Sequence, residues 1–392
     1  MTHLVAALVT LAISGRANAT PSVAAVNQFV AVVWGATLPG GGTDVYSAVS
    51  RDGGRTFQRP VRVNDVDGEA SLGLEQPPRV SLFARQDHEP SIVVVWTAKS
   101  KDGTRLRVAR SENGGVSFAP ATTVTASEAP GNRGWLSTAV DSAGRVVAVW
   151  LDHREMASGH NHSSAGAKAD GAAHAQASKL YFASLDDGSS ARALTGGVCY
   201  CCKTAVAVSP DGAIYAAWRH VYPGNIRDIA FVSSRNGGRS FAQPARVSAD
   251  GWMLDGCPEN GPALAVDREN AVHVVWPTLL PPASASTEPT LALFHAMTRD
   301  GRTFSPRERV LTEGTPRHPQ IAATTGGLAA AWDEEVGGGN RRVVLVRSLR
   351  SAVREVVSSA RAQTPTLADT GNVVVIAWAE GSDASVIKVA RR

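Results

Sequence analysis

A short apolar strand ending in tryptophan occurs seven times in this chain: FVAVVW to Trp34, SIVVVW to Trp96, RVVAVW to Trp150, AIYAAW to Trp218, AVHVVW to Trp276, GLAAAW to Trp332 and VVVIAW to Trp378. The intervals run from 46 to 68 residues, the spacing of a repeat architecture, which argues against a helical bundle or a series of βαβ units. Another short strand precedes each Trp strand, as in PPRVSLF or PALAVD, and a third follows, as in DVYSAVS or RLRVARS. In most copies a Gly-rich turn and a fourth strand such as RPVRV complete the unit. Four antiparallel strands per repeat of about fifty residues describe a propeller blade.

Composition fits that scheme. The chain's 37 Gly and 21 Pro punctuate short apolar runs, as strands and turns require. The near-continuous Val, Ile and Ala of the Trp strands says that both their faces are covered, as between stacked blades. Each Trp is therefore assigned to the core. The expectation is an all-β protein, a β-propeller of four-stranded antiparallel blades, with seven blades favoured and six the alternative. The last unit stops after its third strand at Arg392, so that blade lacks its outer strand unless the amino terminus supplies it.

Charge excludes one class of partner. The formal net charge is +4, but only six of the 39 basic residues are Lys and no run of like charge occurs, so no nucleic-acid partner is expected. At the amino terminus, the apolar run Leu4 to Ile13 precedes Ala17-Asn18-Ala19, an A-x-A pattern. That combination reads as a secretory leader over residues 1–19; the other use of such a run is a buried first strand. The run is about ten residues, half of what a bilayer span needs, and no other segment is long and apolar enough. A monomeric single propeller domain over residues 20–392, periplasmic or secreted and without a membrane span, is the expectation.

The Gly-rich turns read SRDGGRTF from Ser50, SENGGVSF from Ser111, SSRNGGRSF from Ser233 and TRDGRTF from Thr298, with a weaker LDDGSS from Leu185. Asp52, Asn113, Asn236 and Asp300 cap these turns through their side chains, glycine supplies positive φ, and the aromatic packs under the next blade. The turns resemble the Asp box of the sialidase superfamily, S-x-D-x-G-x-x-W/F, with Phe at the aromatic position and Asn for Asp in two copies. The resemblance implies a propeller whose boxes are architectural rather than catalytic. It also implies a glycoside hydrolase that uses three arginines, a Tyr–Glu pair and an Asp acid. The R-I-P type segment before the first box is missing here, and of the five Tyr only Tyr200 and Tyr222 fall in loops of the face described next.

One face of a propeller, here the upper face, collects the loops after each Trp strand and the loops joining one blade to the next. Trp-to-box spacing is 18, 17 and 18 residues in three blades but 37 from Trp150 to Asp187, so blade three carries an insertion, at about 153–178. It holds His153, Met156, His160, His162 and His174 in an Ala, Gly and Ser background that is expected to form a mobile loop. His160 and His162, with Met156 and His174 near, are candidate metal ligands.

The cysteines sharpen that assignment. Cys199, Cys201 and Cys202 lie in the loop leading into blade four, and Cys257 in the loop leading into blade five, so all four are expected together on the upper face. In an oxidising compartment four cysteines allow three disulfide pairings. A bond between adjacent Cys201 and Cys202 is strained, which favours Cys257 with one of the trio. Alternatively, C-x-C and C-C spacings suit clustered thiolates and a copper ion, while structural zinc uses paired C-x-x-C knuckles; a redox-active dithiol is a third use.

Further polar and aromatic groups share the face: Arg133, Trp135, Asp152, Arg154, Arg219, His220, Tyr222, Arg227, Asp228 and Trp252. Trp135 and Trp252 are the only Trp outside the repeat strands; as exposed indoles they would contact a ligand, and the alternative is that they pack against the cysteine loops. The C-x-C-C and G-C-P-x-N-G-P pair is similar to segments of a group of exported bacterial sialidase-like proteins, which implies a common cysteine site without naming its ligand. The functional expectation is a soft-metal site, copper, built on Cys199, Cys201, Cys202 and Cys257 with His160, His162 and Met156. The alternatives are an exo-sialidase-like hydrolase acting on a small glycan and a disulfide-stabilised protein-binding scaffold.

Overall fold

A computed structural model describes residues 8–124, 129–156, 171–186, 191–282, 284, 288–358 and 361–392. Its strands form seven separate four-stranded antiparallel sheets, which settles the blade number at seven. Blade one runs Ala17–Val26, Phe29–Thr37, Thr43–Ser50 and Val61–Arg62, and the others repeat that up-and-down order. The ring closes in blade seven, where Val9–Leu11 is the outer strand beside Val386–Arg391, with Val9 opposite Val389 and Leu11 opposite Ile387. Blade seven is joined to blade one in addition by the Val23 N–H donating to Thr366 Oγ1 at 3.3 Å.

Part of the segment assigned to a leader thus stands in the propeller. Ala17-Asn18-Ala19 opens the first strand of blade one, and Asn18, fully buried, accepts the Trp34 indole N–H at 2.9 Å. One apolar run serves either description because it is too short for a bilayer and long enough for a strand.

All seven repeat tryptophans are buried with no exposed surface. A buried indole needs an acceptor for its N–H, and the period of two along a strand supplies one on the same face two residues later. Asp152, His220, Glu334 and Glu380 fill that role for Trp150, Trp218, Trp332 and Trp378.

On the lower face, the Gly-rich turns fold as their sequences require. Asp52 Oδ1 accepts the Ser50 hydroxyl and the backbone N–H groups of Arg55 and Thr56 at 2.7–2.9 Å. Asn113, Asn236 and Asp300 make the equivalent bonds in their own turns.

Candidate metal centre

The site is assembled by two inter-blade loops whose positions the repeat dictates. The loop leading into blade four is zipped to the extended Trp218 strand, through Cys199 N–H to the Arg219 carbonyl at 2.9 Å and Val221 N–H to the Gly197 carbonyl at 2.8 Å. The loop leading into blade five packs onto it at Gly261, where a β-carbon would stand 2.2 Å from the Lys203 carbonyl oxygen. Glycine is required there by that close approach. Glu75, a buried carboxylate from the loop leading into blade two, ties both loops together by accepting the N–H of Lys203 at 2.8 Å and of Gly261 at 2.7 Å.

These constraints bring the cysteines together. Sγ separations are 3.8 Å from Cys199 to Cys201, 3.8 Å from Cys199 to Cys202 and 3.9 Å from Cys201 to Cys202. A point at the centre of that triangle lies about 2.2 Å from each sulfur, close to the zinc–thiolate distance of about 2.3 Å. All three residues are buried, whereas Cys257 is exposed and forms a disulfide with Cys201. The bridge between Cys257 and the trio therefore falls on its middle member.

Two guanidinium groups flank the sulfurs. Arg227, with no exposed surface, donates from Nη1 to Cys199 Sγ at 3.2 Å and from Nε to the Leu254 carbonyl at 2.8 Å. Arg219, 1% exposed, donates to the carbonyls of Asn260, Arg227 and Pro277 at 2.6–2.9 Å and lies over the Trp252 ring at 4.7 Å. Among the described residues neither has a carboxylate at ion-pair distance. The Asn260 N–H points at Cys202 Sγ, 3.4 Å away.

The electrostatics differ among the three sulfurs. A hydrogen bond with Cys202, then the positive charges of Arg227 and Arg219, hold Cys199 down at about 6 despite its burial. Burial, and then the neighbouring Cys199, push Cys202 well above the usual thiol range. Lys203, next in the chain, is lowered to about 8 by burial; its Nζ donates to the Pro319 carbonyl at 2.6 Å, and it faces Glu75.

The insertion of blade three also differs from expectation. Gly171–Ala177 is a short helix, and Ala175 is fully buried against Cys199, Cys201, Cys202 and Val221. The expectation of a mobile loop over the whole insertion is corrected at this end: AAHAQA favours a helix, and a methyl group is the size that fits over packed sulfurs. The His174 ring meets the Tyr200 ring edge-on at 5.9 Å. His160 and His162 lie outside the described residues. Met156 sits in the turn after Trp150's strand, its N–H bonded to the His153 carbonyl at 3.0 Å.

Most remaining upper-face candidates are engaged internally. Arg133 and Arg154 both pair with buried Asp152, at 3.3 and 2.6 Å, and the Trp135 ring lies tilted against His153 with centroids 5.1 Å apart. Asp228 pairs with Arg246 and accepts the N–H groups of Gly251 and Trp252, fixing the start of the Cys257 loop. Tyr222 lies between Arg246 and His220, at 4.5 and 4.6 Å, and burial raises it to about 12. The exposed-indole expectation for Trp252 is corrected: it is buried beneath Arg219, because a flat ring is the cover that a buried guanidinium accepts.

Several solved structures are similar to this chain in fold. The α-L-arabinanase of Penicillium chrysogenum, solved with arabinobiose, aligns over 100% of this chain and 98% of its own with a TM-score of 0.54 and 10% identity. The α-L-arabinofuranosidase of Fusarium graminearum aligns over 95% of this chain and 93% of its own with a TM-score of 0.53 and 11% identity. A Hadza microbial sialidase covers 89% of this chain and 73% of its own length, at a TM-score of 0.52 and 11% identity. That likeness is one of fold. No protein-family model and no curated protein matches the sequence.

Proposed function

We propose that this propeller binds a soft metal ion, copper(I), through the thiolates of Cys199, Cys201 and Cys202. The observation that carries the proposal is the pair of buried guanidiniums, Arg219 and Arg227, which has carbonyl and sulfur partners but, among the described residues, no carboxylate. A buried cation without an anion is costly. Three neutral thiols would leave both charges uncompensated. Three thiolates around one monovalent ion carry a net charge of minus two, and the two guanidiniums offset it.

The sulfur triangle supports the same reading, since its centre is at a metal–thiolate bond length from each vertex. Soft thiolates in a dry pocket select copper(I) over harder ions. A periplasmic or extracellular setting belongs to the proposal.

The test is a titration of fully reduced protein with copper(I) under anaerobic conditions against a chromophoric chelator. One equivalent is expected to bind, and a Cys199→Ser/Cys202→Ser protein is expected to lose at least 100-fold in affinity. Failure of the reduced wild type to retain copper or zinc overturns the proposal.

A further inference from the structure

The cysteines are not equivalent in their exposure, and the difference falls across one bond. Cys257 is exposed on the loop leading into blade five, while its disulfide partner Cys201 is 4% exposed and sits 3.8 and 3.9 Å from the sulfurs of Cys199 and Cys202. Cys201 is thus the vertex shared by two exclusive structures. Its sulfur is covalently bound to Cys257, or it is the third thiolate of the triangle.

We propose that the Cys201–Cys257 disulfide is a redox gate on the metal centre, opened from the solvent side at Cys257. The inference rests on the copper-binding reading above. A low-molecular-weight thiolate attacks Cys257 Sγ, the sulfur on the exposed residue; the new bond joins the incoming sulfur to Cys257, the Cys201–Cys257 bond breaks, and Cys201 leaves as a thiolate inside the buried trio. A second low-molecular-weight thiolate attacks its own kind in that mixed disulfide and releases Cys257. Two external thiols are oxidised to one disulfide, and two protein sulfurs are reduced. A protein disulfide yields to exchange at the sulfur that a reductant can reach, and here that sulfur is not a ligand.

Two consequences follow from the placement. In the closed state only Cys199 and Cys202 are available, and sulfurs 3.8 Å apart are too close to hold copper(I) in a linear two-coordinate arrangement, which spans about 4.4 Å between sulfurs, so the third thiolate is needed to complete a trigonal set. In the open, loaded state the three buried sulfurs are occupied by the ion, and Cys257 is left as a free exposed thiol.

The experiment compares oxidised wild type, wild type reduced with a phosphine that is then removed, and Cys257→Ser, all handled anaerobically and titrated with copper(I). Reduced wild type and Cys257→Ser are expected to bind one equivalent, and oxidised wild type at least 100-fold more weakly. Maleimide labelling of loaded wild type, located by peptide mass spectrometry, is expected to modify Cys257 alone; this arm does not depend on the variant folding. Equal affinity in oxidised and reduced wild type overturns the gate and leaves copper binding standing. Labelling of Cys201 in the loaded protein overturns the gate as well. Absence of binding in both reduced wild type and Cys257→Ser overturns the copper reading itself.

Discussion

Blades four and six carry a buried charge at the same place in the repeat, one residue after the core tryptophan: Arg219 follows Trp218, and Asp333 follows Trp332. In blade six the charge is answered locally. Asp333 accepts from His318 Nδ1 at 2.7 Å and lies 3.5 Å from Arg341 Nε, while the adjacent Glu334 takes the Trp332 indole N–H and the Arg342 guanidinium. In blade four the sign is reversed, and among the described residues no carboxylate answers. Arg219 reaches carbonyls, Arg227 reaches a carbonyl and a sulfur, and the buried carboxylate nearby, Glu75, is held by two backbone N–H groups and faces Lys203. The scaffold accommodates either sign at this position. What differs is whether the compensating ion comes from the chain or has to form at the site.

The largest effect expected from that contrast lies in blade six. Breaking a fully buried pair costs about 3 kcal/mol or more; Arg342 is part-exposed and keeps Glu313, so Glu334→Gln is expected to lose about 2 kcal/mol in urea unfolding, equally in oxidised, reduced and copper-loaded protein. Arg227→Met sharpens the comparison because its effect depends on state. In oxidised, metal-free protein it removes a cation that no carboxylate among the described residues answers, and the Cys199 sulfur beside it can take up a proton once that charge is gone, so stability is expected to stay within about 1 kcal/mol of wild type. In reduced protein it is expected to weaken copper(I) at least tenfold, or about 1.4 kcal/mol, measured by the same chelator competition. If Arg227→Met costs the oxidised protein as much as Glu334→Gln does, the two clusters are alike and the contrast is lost.

The sequence made one of these regions far more legible than the other. Trp strands recur, so periodicity alone led to seven sheets, buried tryptophans and box turns on one face. Loop position within the repeat then placed Cys257 beside the trio. The burial of Arg219 and Arg227 left no such trace, because an arginine in a loop reads as solvated until the packing of two loops and Trp252 removes the water. Glu75 was equally silent: its partners are backbone N–H groups at Lys203 and Gly261, and backbone donors have no sequence signature. The helix Gly171–Ala177 was missed for another reason. The buried residue among its described side chains, Ala175, is too small to register as an apolar anchor.

The smallest expected effect concerns the second residue after the tryptophan, which is Glu334 in blade six and His220 in blade four. His220 Nδ1 accepts the Trp218 indole N–H at 3.4 Å, a role only a ring nitrogen without a proton can fill. Burial lowers His220 from 6.5 to about 4. The unfolded chain therefore takes up a proton as pH falls through 6.5, while the folded protein does not until near 4. Stability from this group is full above pH 6.5, declines between 6.5 and 4 by at most about 1.4 kcal/mol per pH unit, and changes no further below. His220→Gln keeps an acceptor for Trp218 in its amide oxygen and cannot titrate. Its unfolding free energy is expected to fall less steeply than that of wild type between pH 6.5 and 5.5, by about 1 kcal/mol over that unit. Parallel pH profiles would mean that His220 takes up its proton alike in the folded and the unfolded chain, and that the Trp218 hydrogen bond does not hold it neutral.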